Sequence, residues 1–134
     1  MAFPVFLVCL TGCGTKVDPE VEKAATTSAL QWLELVDKQD YAGSWSHAAE
    51  IFKKTVTKGQ WEAQIRAVRM PLGKLVSREL MSRNYAVSLP GMPKGEYLVC
   101  QYKASFESGK HVAEIVTPAL EEDGEWRVSG YYVK

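Results

Sequence analysis

Two dipeptides near the C-terminus, Ser108-Gly109 and Asp123-Gly124, constrain this chain more than any other feature. Each supplies residues that tolerate the positive φ of a tight hairpin turn, and each separates two runs of β-forming residues. Read as two-residue turns, Ser108-Gly109 sets Lys103 opposite Glu114 and Tyr102 opposite Ile115, while Asp123-Gly124 sets Ile115 opposite Tyr132, Val116 opposite Tyr131 and Ala119 opposite Val128. The two registers agree in placing Tyr102, Ile115 and Tyr132 on one face of a three-stranded meander. The other face then carries Val99, Val112, Val116, Leu120, Tyr131 and Val133 beside Lys103, Glu114 and Arg127, which is more apolar than a sheet face left in water. Cover for that face is expected from a second copy of the protein, as a homodimer, or from the neighbours of a long preceding strand.

That strand is read over residues 74–89, rich in β-formers but irregular in alternation, and the Pro/Gly-rich segment Leu89-Pro90-Gly91-Met92-Pro93-Lys94-Gly95 closes it as a loop. Upstream the period changes to that of helices. Asp18-Pro19-Glu20 has a capping carboxylate, a proline at the first helical position and an acidic first turn. Val21, Ala25, Ala29, Trp32, Leu33 and Val36 then line one face, as far as Asp37-Lys38-Gln39. Asp40 caps a second helix presenting Tyr41, Trp45, Ala48, Ala49 and Phe52, which Gly43 weakens without forbidding. Thr57-Lys58-Gly59-Gln60 has the form of a capping box, and Trp61, Ile65 and Val68 share a side of the helix that follows, up to Pro71 and Gly73. The expected fold class is α+β, with N-terminal helices packed on a curved antiparallel sheet.

Length and charge narrow the function. A chain of 134 residues, 46% hydrophobic and 24% charged, fits one domain. Its 16 Lys and Arg balance 16 Asp and Glu, so no net field steers it to nucleic acid. No apolar run reaches the roughly 20 residues of a membrane-spanning helix. The apolar segment Ala2 to Leu10, followed by Thr11-Gly12-Cys13 and the small Gly14-Thr15, instead has the form of a secretion signal.

Leu10-Thr11-Gly12-Cys13 is similar to the lipobox of bacterial lipoproteins, in which the cysteine is acylated and becomes the first residue of the mature chain. The resemblance implies a signal peptide over 1–12, lipid on Cys13, a tether over 13–18 and a single domain over 19–134. Several acyl chains would hold the protein on a membrane, since each buried methylene contributes about 0.8 kcal/mol. The basic residues that usually open such a signal do not precede Ala2, and an upstream start would supply them. Gly14 rather than Asp after the cysteine favours, by the same resemblance, the periplasmic side of the outer membrane. Cys9 leaves with the signal and Cys13 carries lipid, so Cys100 is left alone, expected as a packed thiol between Leu98 and Tyr102.

The order of helices and strands, closed by Asp123-Gly124-Glu125-Trp126-Arg127-Val128, resembles the nuclear transport factor 2-like (cystatin-like) superfamily. Within it, Asp40-Tyr41-Ala42-Gly43-Ser44-Trp45, the loop from Leu89 to Tyr97 and Gly124-Glu125-Trp126-Arg127-Val128-Ser129-Gly130-Tyr131 resemble a bacterial secreted family, domain of unknown function 4019. The superfamily includes isomerases and dehydratases that hold an acid or base inside the cone between sheet and helices, and many members that only bind. No active-site motif of those enzymes transfers to these residues.

Glu114, among Val112, Ala113, Ile115 and Val116, is the candidate acid or base, against a cross-strand ion pair with Lys103 as the simpler reading. Were the protein an enzyme of the isomerase or dehydratase kind, Glu114→Gln would abolish activity and leave the fold intact. Trp45, Tyr102, Trp126 and Tyr132 are candidate pocket-lining residues, or else core. His47 and His111 have no metal-ligand spacing around them, and neither a metal nor a cofactor is expected. Ser44 and Ser46 lack a nucleophile elbow and belong to a helix. Arg69 and Arg78 flank the helix-to-strand junction, where a surface role is expected beside the option of pairing an acidic ligand or a carboxylate of the protein. The function that fits best is a lipid-anchored envelope binding or scaffold domain without catalytic activity.

Overall fold

A computed structural model describes residues 17–134. The signal segment, the lipobox cysteine Cys13 and the first part of the tether lie outside the described residues. Helix α1 runs over Pro19–Asp37, started by the Asp18 carboxylate, which accepts the Glu20 N–H at 2.8 Å. It buries Ala25, Ala29, Trp32, Leu33 and Val36, the stripe that its spacing predicts. The expected second helix is two short ones, α2 (Tyr41–Ser46) and α3 (Glu50–Thr55). Tertiary partners open the break: the Ala49 N–H donates to Val128 C=O at 2.8 Å, and the Glu50 N–H to the Glu121 carboxylate at 2.8 Å. Helix α4 (Lys58–Arg69) starts with the Thr57/Gln60 capping box and ends in a 3₁₀ turn over Met70–Leu72. Trp61 and Ile65 are buried, but Val68 is exposed, and Arg69 takes the next inward place.

The sheet is an antiparallel meander of β1 (Leu75–Ala86), β2 (Tyr97–Phe106), β3 (His111–Leu120) and β4 (Trp126–Val133), in chain order. Both predicted hairpins form, but each loop has three residues rather than two. Gly109 donates to Phe106 C=O at 2.9 Å and Phe106 N–H to Lys110 C=O at 3.1 Å, with Gly109 at φ 87°. Glu121 and Glu125 close the second loop in the same way, around Gly124 at φ 85°. This is a turn followed by a left-handed glycine that forms a bulge.

The extra residue slips the first hairpin. Tyr102 faces Glu114, Lys103 faces Ala113, and Ile115 faces Gln101. The expectation that Tyr102 and Ile115 share a face is therefore overturned, and so is the Lys103–Glu114 pair, because a one-residue slip sends every side chain to the other face. In the second hairpin an irregularity between Thr117 and Pro118 absorbs the longer loop, and Ile115–Tyr132 and Val116–Tyr131 pair as expected. Beyond it Val128 faces Pro118 and Ala119 faces Arg127.

Tyr102, Glu114, Val116, Val128 and Tyr131 thus point toward the helices, and Ile115 and Tyr132 point away. The apolar outer face expected from the two-residue registers loses Val116 and Tyr131 to the core and Val112 to a satellite cluster with Leu72, Ala104 and Phe106. Between sheet and helices lies an aromatic core. Trp32 packs on Trp61 (5.8 Å between centroids), Phe52 (6.0 Å) and Tyr131 (5.3 Å), and Phe52 meets Trp61 edge-on at 4.9 Å.

Ser44, wholly buried, satisfies both inner indoles. Its carbonyl accepts from Trp32 Nε1 at 2.8 Å and its hydroxyl from Trp61 Nε1 at 2.9 Å, while that hydroxyl donates to Tyr41 C=O at 2.7 Å. Ser44→Ala leaves the Trp61 N–H buried without a partner and should lower stability by about 1–3 kcal/mol in urea unfolding, whereas Ser46→Ala, at an exposed position, should change it by less than about 0.5 kcal/mol.

Candidate functional site

The inward places of five elements converge on charge. Asp37 ends α1, Arg69 ends α4, Arg78 sits on β1, Glu114 on β3 and Tyr131 on β4. Arg78 bridges the two carboxylates with two edges of its guanidinium. Nε donates to Glu114 Oε1 at 2.7 Å and Nη2 to Glu114 Oε2 at 3.2 Å, while Nη1 and Nη2 donate to Asp37 Oδ2 at 2.8 Å and Oδ1 at 3.0 Å. Arg69 Nη2 donates to Asp37 Oδ1 at 2.8 Å, its Nη1 lies 3.9 Å from Glu114 Oε2, and its Cζ sits 4.9 Å from the Phe106 ring centroid. The Tyr131 hydroxyl donates to Glu114 Oε2 at 2.6 Å.

Glu114 is fully buried and Arg69 nearly so at 5% exposed. Two cations and two anions make the cluster neutral, which is how buried charge is tolerated. For Asp37, burial pushes the carboxyl up, but hydrogen bonds and charge from Arg78 and Arg69 outweigh it and hold the group below its ordinary value of 3.8. Burial, then the Glu114 charge and the hydrogen bond to it, raise the Tyr131 phenol well above its usual range, so it stays a proton donor. Both Glu114 oxygens are engaged by Arg78 and Tyr131 and the carboxylate is fully buried, so neither oxygen is presented to an entering substrate as a general base requires.

The other sequence candidates do not gather into one pocket. Trp45 is half-buried, with Nε1 donating to Val56 C=O at 2.8 Å. Trp126 is half-buried at the edge of the core, Tyr102 is buried within it, and Tyr132 is 55% exposed on the outer face, where the slipped register puts it. Cys100 is a buried free thiol, pushed up to about 11 by burial. His47 and His111 are exposed and bond locally, to Gly43 C=O at 2.9 Å and to the Ser105 hydroxyl at 2.7 Å. No group of three or more His, Cys, Asp or Glu among the described residues is arranged to hold a metal ion. Nor is any helix among them long and apolar enough to cross a membrane. A depression of about 830 Å³ lies between α3, the loop before β2 and the β3–β4 hairpin, and Glu50, Glu121 and Asp123 on its rim already pair with Lys53 or Arg127.

Arg69 and Arg78, expected at the surface, are the residues that sequence reasoning misplaced. One signal was present: the four-residue spacing of Trp61 and Ile65 lands next on Arg69.

Residues 28–131, spanning all five members of the cluster, match the family model described as Protein of unknown function (DUF4019). The chain belongs to this family. Among solved structures, the DUF4019 chain resembles Aln2 from a Streptomyces species, with a TM-score of 0.58 at 13% identity over 90% of this chain and 93% of that one. That likeness concerns the fold alone, which is α+β and nuclear transport factor 2-like. No curated protein matches the chain.

Because Glu114 is bound into the cluster, Glu114→Gln tests folding rather than chemistry. It strands two guanidiniums against one carboxylate and should cost about 3–5 kcal/mol in denaturant unfolding. The double variant Arg78→Met/Glu114→Leu leaves the Arg69–Asp37 pair balanced and should be more stable than either single variant. The depressed Asp37 group contributes stability in full above its ordinary value of 3.8, and this contribution is lost as pH falls through its lower folded value. Asp37→Asn should therefore flatten the decline in unfolding midpoint between about pH 5 and about pH 2.

Proposed function

We propose that this DUF4019 domain is a non-catalytic binding or scaffold module, held at the bacterial cell envelope by lipid on Cys13. One observation carries the non-catalytic half. Inside the cone between sheet and helices, where the resemblance would place an acid or base, Glu114 is locked by Arg78 and Tyr131, and the interior is filled by the packed rings of Trp32, Trp61, Phe52 and Tyr131. An isomerase or dehydratase working through Glu114 would first have to break these bonds in a buried site and leave at least two buried charges without their partners. The tether half rests on Leu10-Thr11-Gly12-Cys13 and the apolar segment before it.

A rigid, charge-locked interior suits a domain whose work is done at its surface. Metabolic labelling with radioactive palmitate tests the tether: the full chain should incorporate label and the Cys13→Ala variant should not. An unlabelled wild-type chain in cells where a control lipoprotein labels would overturn it.

A further inference from the structure

The domain leads toward Cys13 at the same end as an apolar loop. Helix α1 runs antiparallel to β1, since Asp37 at its C-terminal end meets Arg78, and Glu22 in its first turn meets Arg83 at 3.2 Å. From Arg83 to Val87 the chain advances about 13 Å at strand spacing, whereas Pro19 lies only about 4.5 Å of helix before Glu22. The loop 87–95 therefore stands level with, or beyond, the start of α1. The β3–β4 hairpin is at this end too: the Leu120 N–H donates to Glu96 C=O at 2.9 Å, and Glu125 and Glu20 line one shallow depression.

The loop is built for a medium other than water. Val87 is 58% exposed, Leu89 and Met92 are half-buried, Pro90 and Pro93 are exposed, and Lys94 is the only charged residue from Val87 to Gly95. Leu89-Pro90-Gly91-Met92 forms a β-turn with proline second and glycine third, Gly91 at φ 74° and the Met92 N–H donating to Leu89 C=O at 3.1 Å. The Gly95 N–H returns to Val87 C=O at 3.3 Å, and the hydroxyl of buried Tyr97 donates to Pro93 C=O at 2.5 Å. Prolines have no N–H to desolvate, and the Met92 and Gly95 donors are spent within the loop, so an apolar medium strips few hydrogen bonds from it. The hairpin at the other end of the sheet, Glu107-Ser108-Gly109-Lys110, carries no large apolar side chain.

We infer that the loop 87–95 is a bilayer contact, with Val87 and Met92 entering the interfacial layer of a phospholipid membrane and the Lys94 ammonium held at the level of the phosphates. The inference rests on the reading of Cys13 as the lipidated residue and deepens it by assigning the part of the domain that meets the membrane. Cys13 stands four residues before Val17, so the chain between them spans at most about 14 Å even when fully extended. An anchor that short keeps the start of α1, and the loop beside it, within reach of the headgroups. Exposed apolar side chains beside one lysine with a long aliphatic stem suit that boundary. Glu122 and Glu125 on the neighbouring hairpin are repelled by anionic lipid, so the contact draws on apolar burial and needs no anionic headgroup. Once the anchor is in place insertion is intramolecular, and a few apolar side chains suffice.

Quenching by spin-labelled lipid tests the contact. The protein purified from cell membranes, carrying Met92→Cys with an environment-sensitive dye on the new thiol, is reconstituted into phosphatidylcholine vesicles containing lipid spin-labelled just below the headgroup. Lys110→Cys, on the hairpin at the far end of the sheet, carries the same dye for comparison, and the buried Cys100 thiol is shielded from labelling. The dye at 92 should lose at least half its emission to the spin label and the dye at 110 less than about a tenth. Adding Val87→Asp, an exposed replacement expected to leave the unfolding midpoint in place, should at least halve the quenching at 92. Equal quenching at 92 and 110 in vesicle-bound protein, or quenching at 92 that Val87→Asp leaves unchanged, would overturn the bilayer contact while the tether stands. Protein that fails to float with the vesicles would overturn the tether and the contact together, so the two failures are distinguishable.

Discussion

The Arg78 guanidinium holds the architecture together. It touches both the helical layer, through Asp37, and the middle of the sheet, through Glu114. Removing either carboxylate would leave a cation in a medium that solvates it poorly, so the ends of α1 and α4 and three strands are coupled through one charge balance. Such a cluster is weak evidence of stability in itself, because an apolar replacement of the same shape is often as stable. Its effect is on specificity: alternative packings of helices on sheet would separate the partners.

The cluster also accounts for the choice of three-residue loops. With two-residue turns Glu114 would lie on the outer face and Arg78 would be buried against Asp37 alone, as would Arg69. With Gly109 left-handed after the turn, Glu114 comes inward as the second anion, and the irregularity near Pro118 then returns β4 to the register that brings the Tyr131 hydroxyl onto it. Loop chemistry and charge neutrality demand the same register, the kind of agreement between local and global preferences that marks a foldable sequence.

A filled interior also redirects the search for function. Indole and phenol rings occupy the space between sheet and helices, and the polar atoms of Trp32, Trp61 and Tyr131 are bound by Ser44 and Glu114. The buried side-chain polar atoms without a hydrogen-bond partner among the described residues are Arg69 Nε and Nη1, in the charge cluster, and the Tyr102 hydroxyl.

The sequence by itself determined the order of elements, their caps, the buried stripe of α1 and the presence of two hairpins, because these depend on interactions within a few residues: Asp18 on Glu20, Thr57 on Gln60, glycine in a left-handed turn. It left the loop lengths open, since Ser-Gly and Asp-Gly serve two-residue and three-residue loops alike, and one residue of difference decides which face Glu114 takes. Only the tertiary structure decided that. The cost of burying charge selects the register in which Arg69, Arg78, Asp37 and Glu114 meet, and those residues stand as far apart in the chain as α1 is from β3. The same non-local pull split the second helix at Ala49, whose N–H found a better partner on β4 than in its own turn.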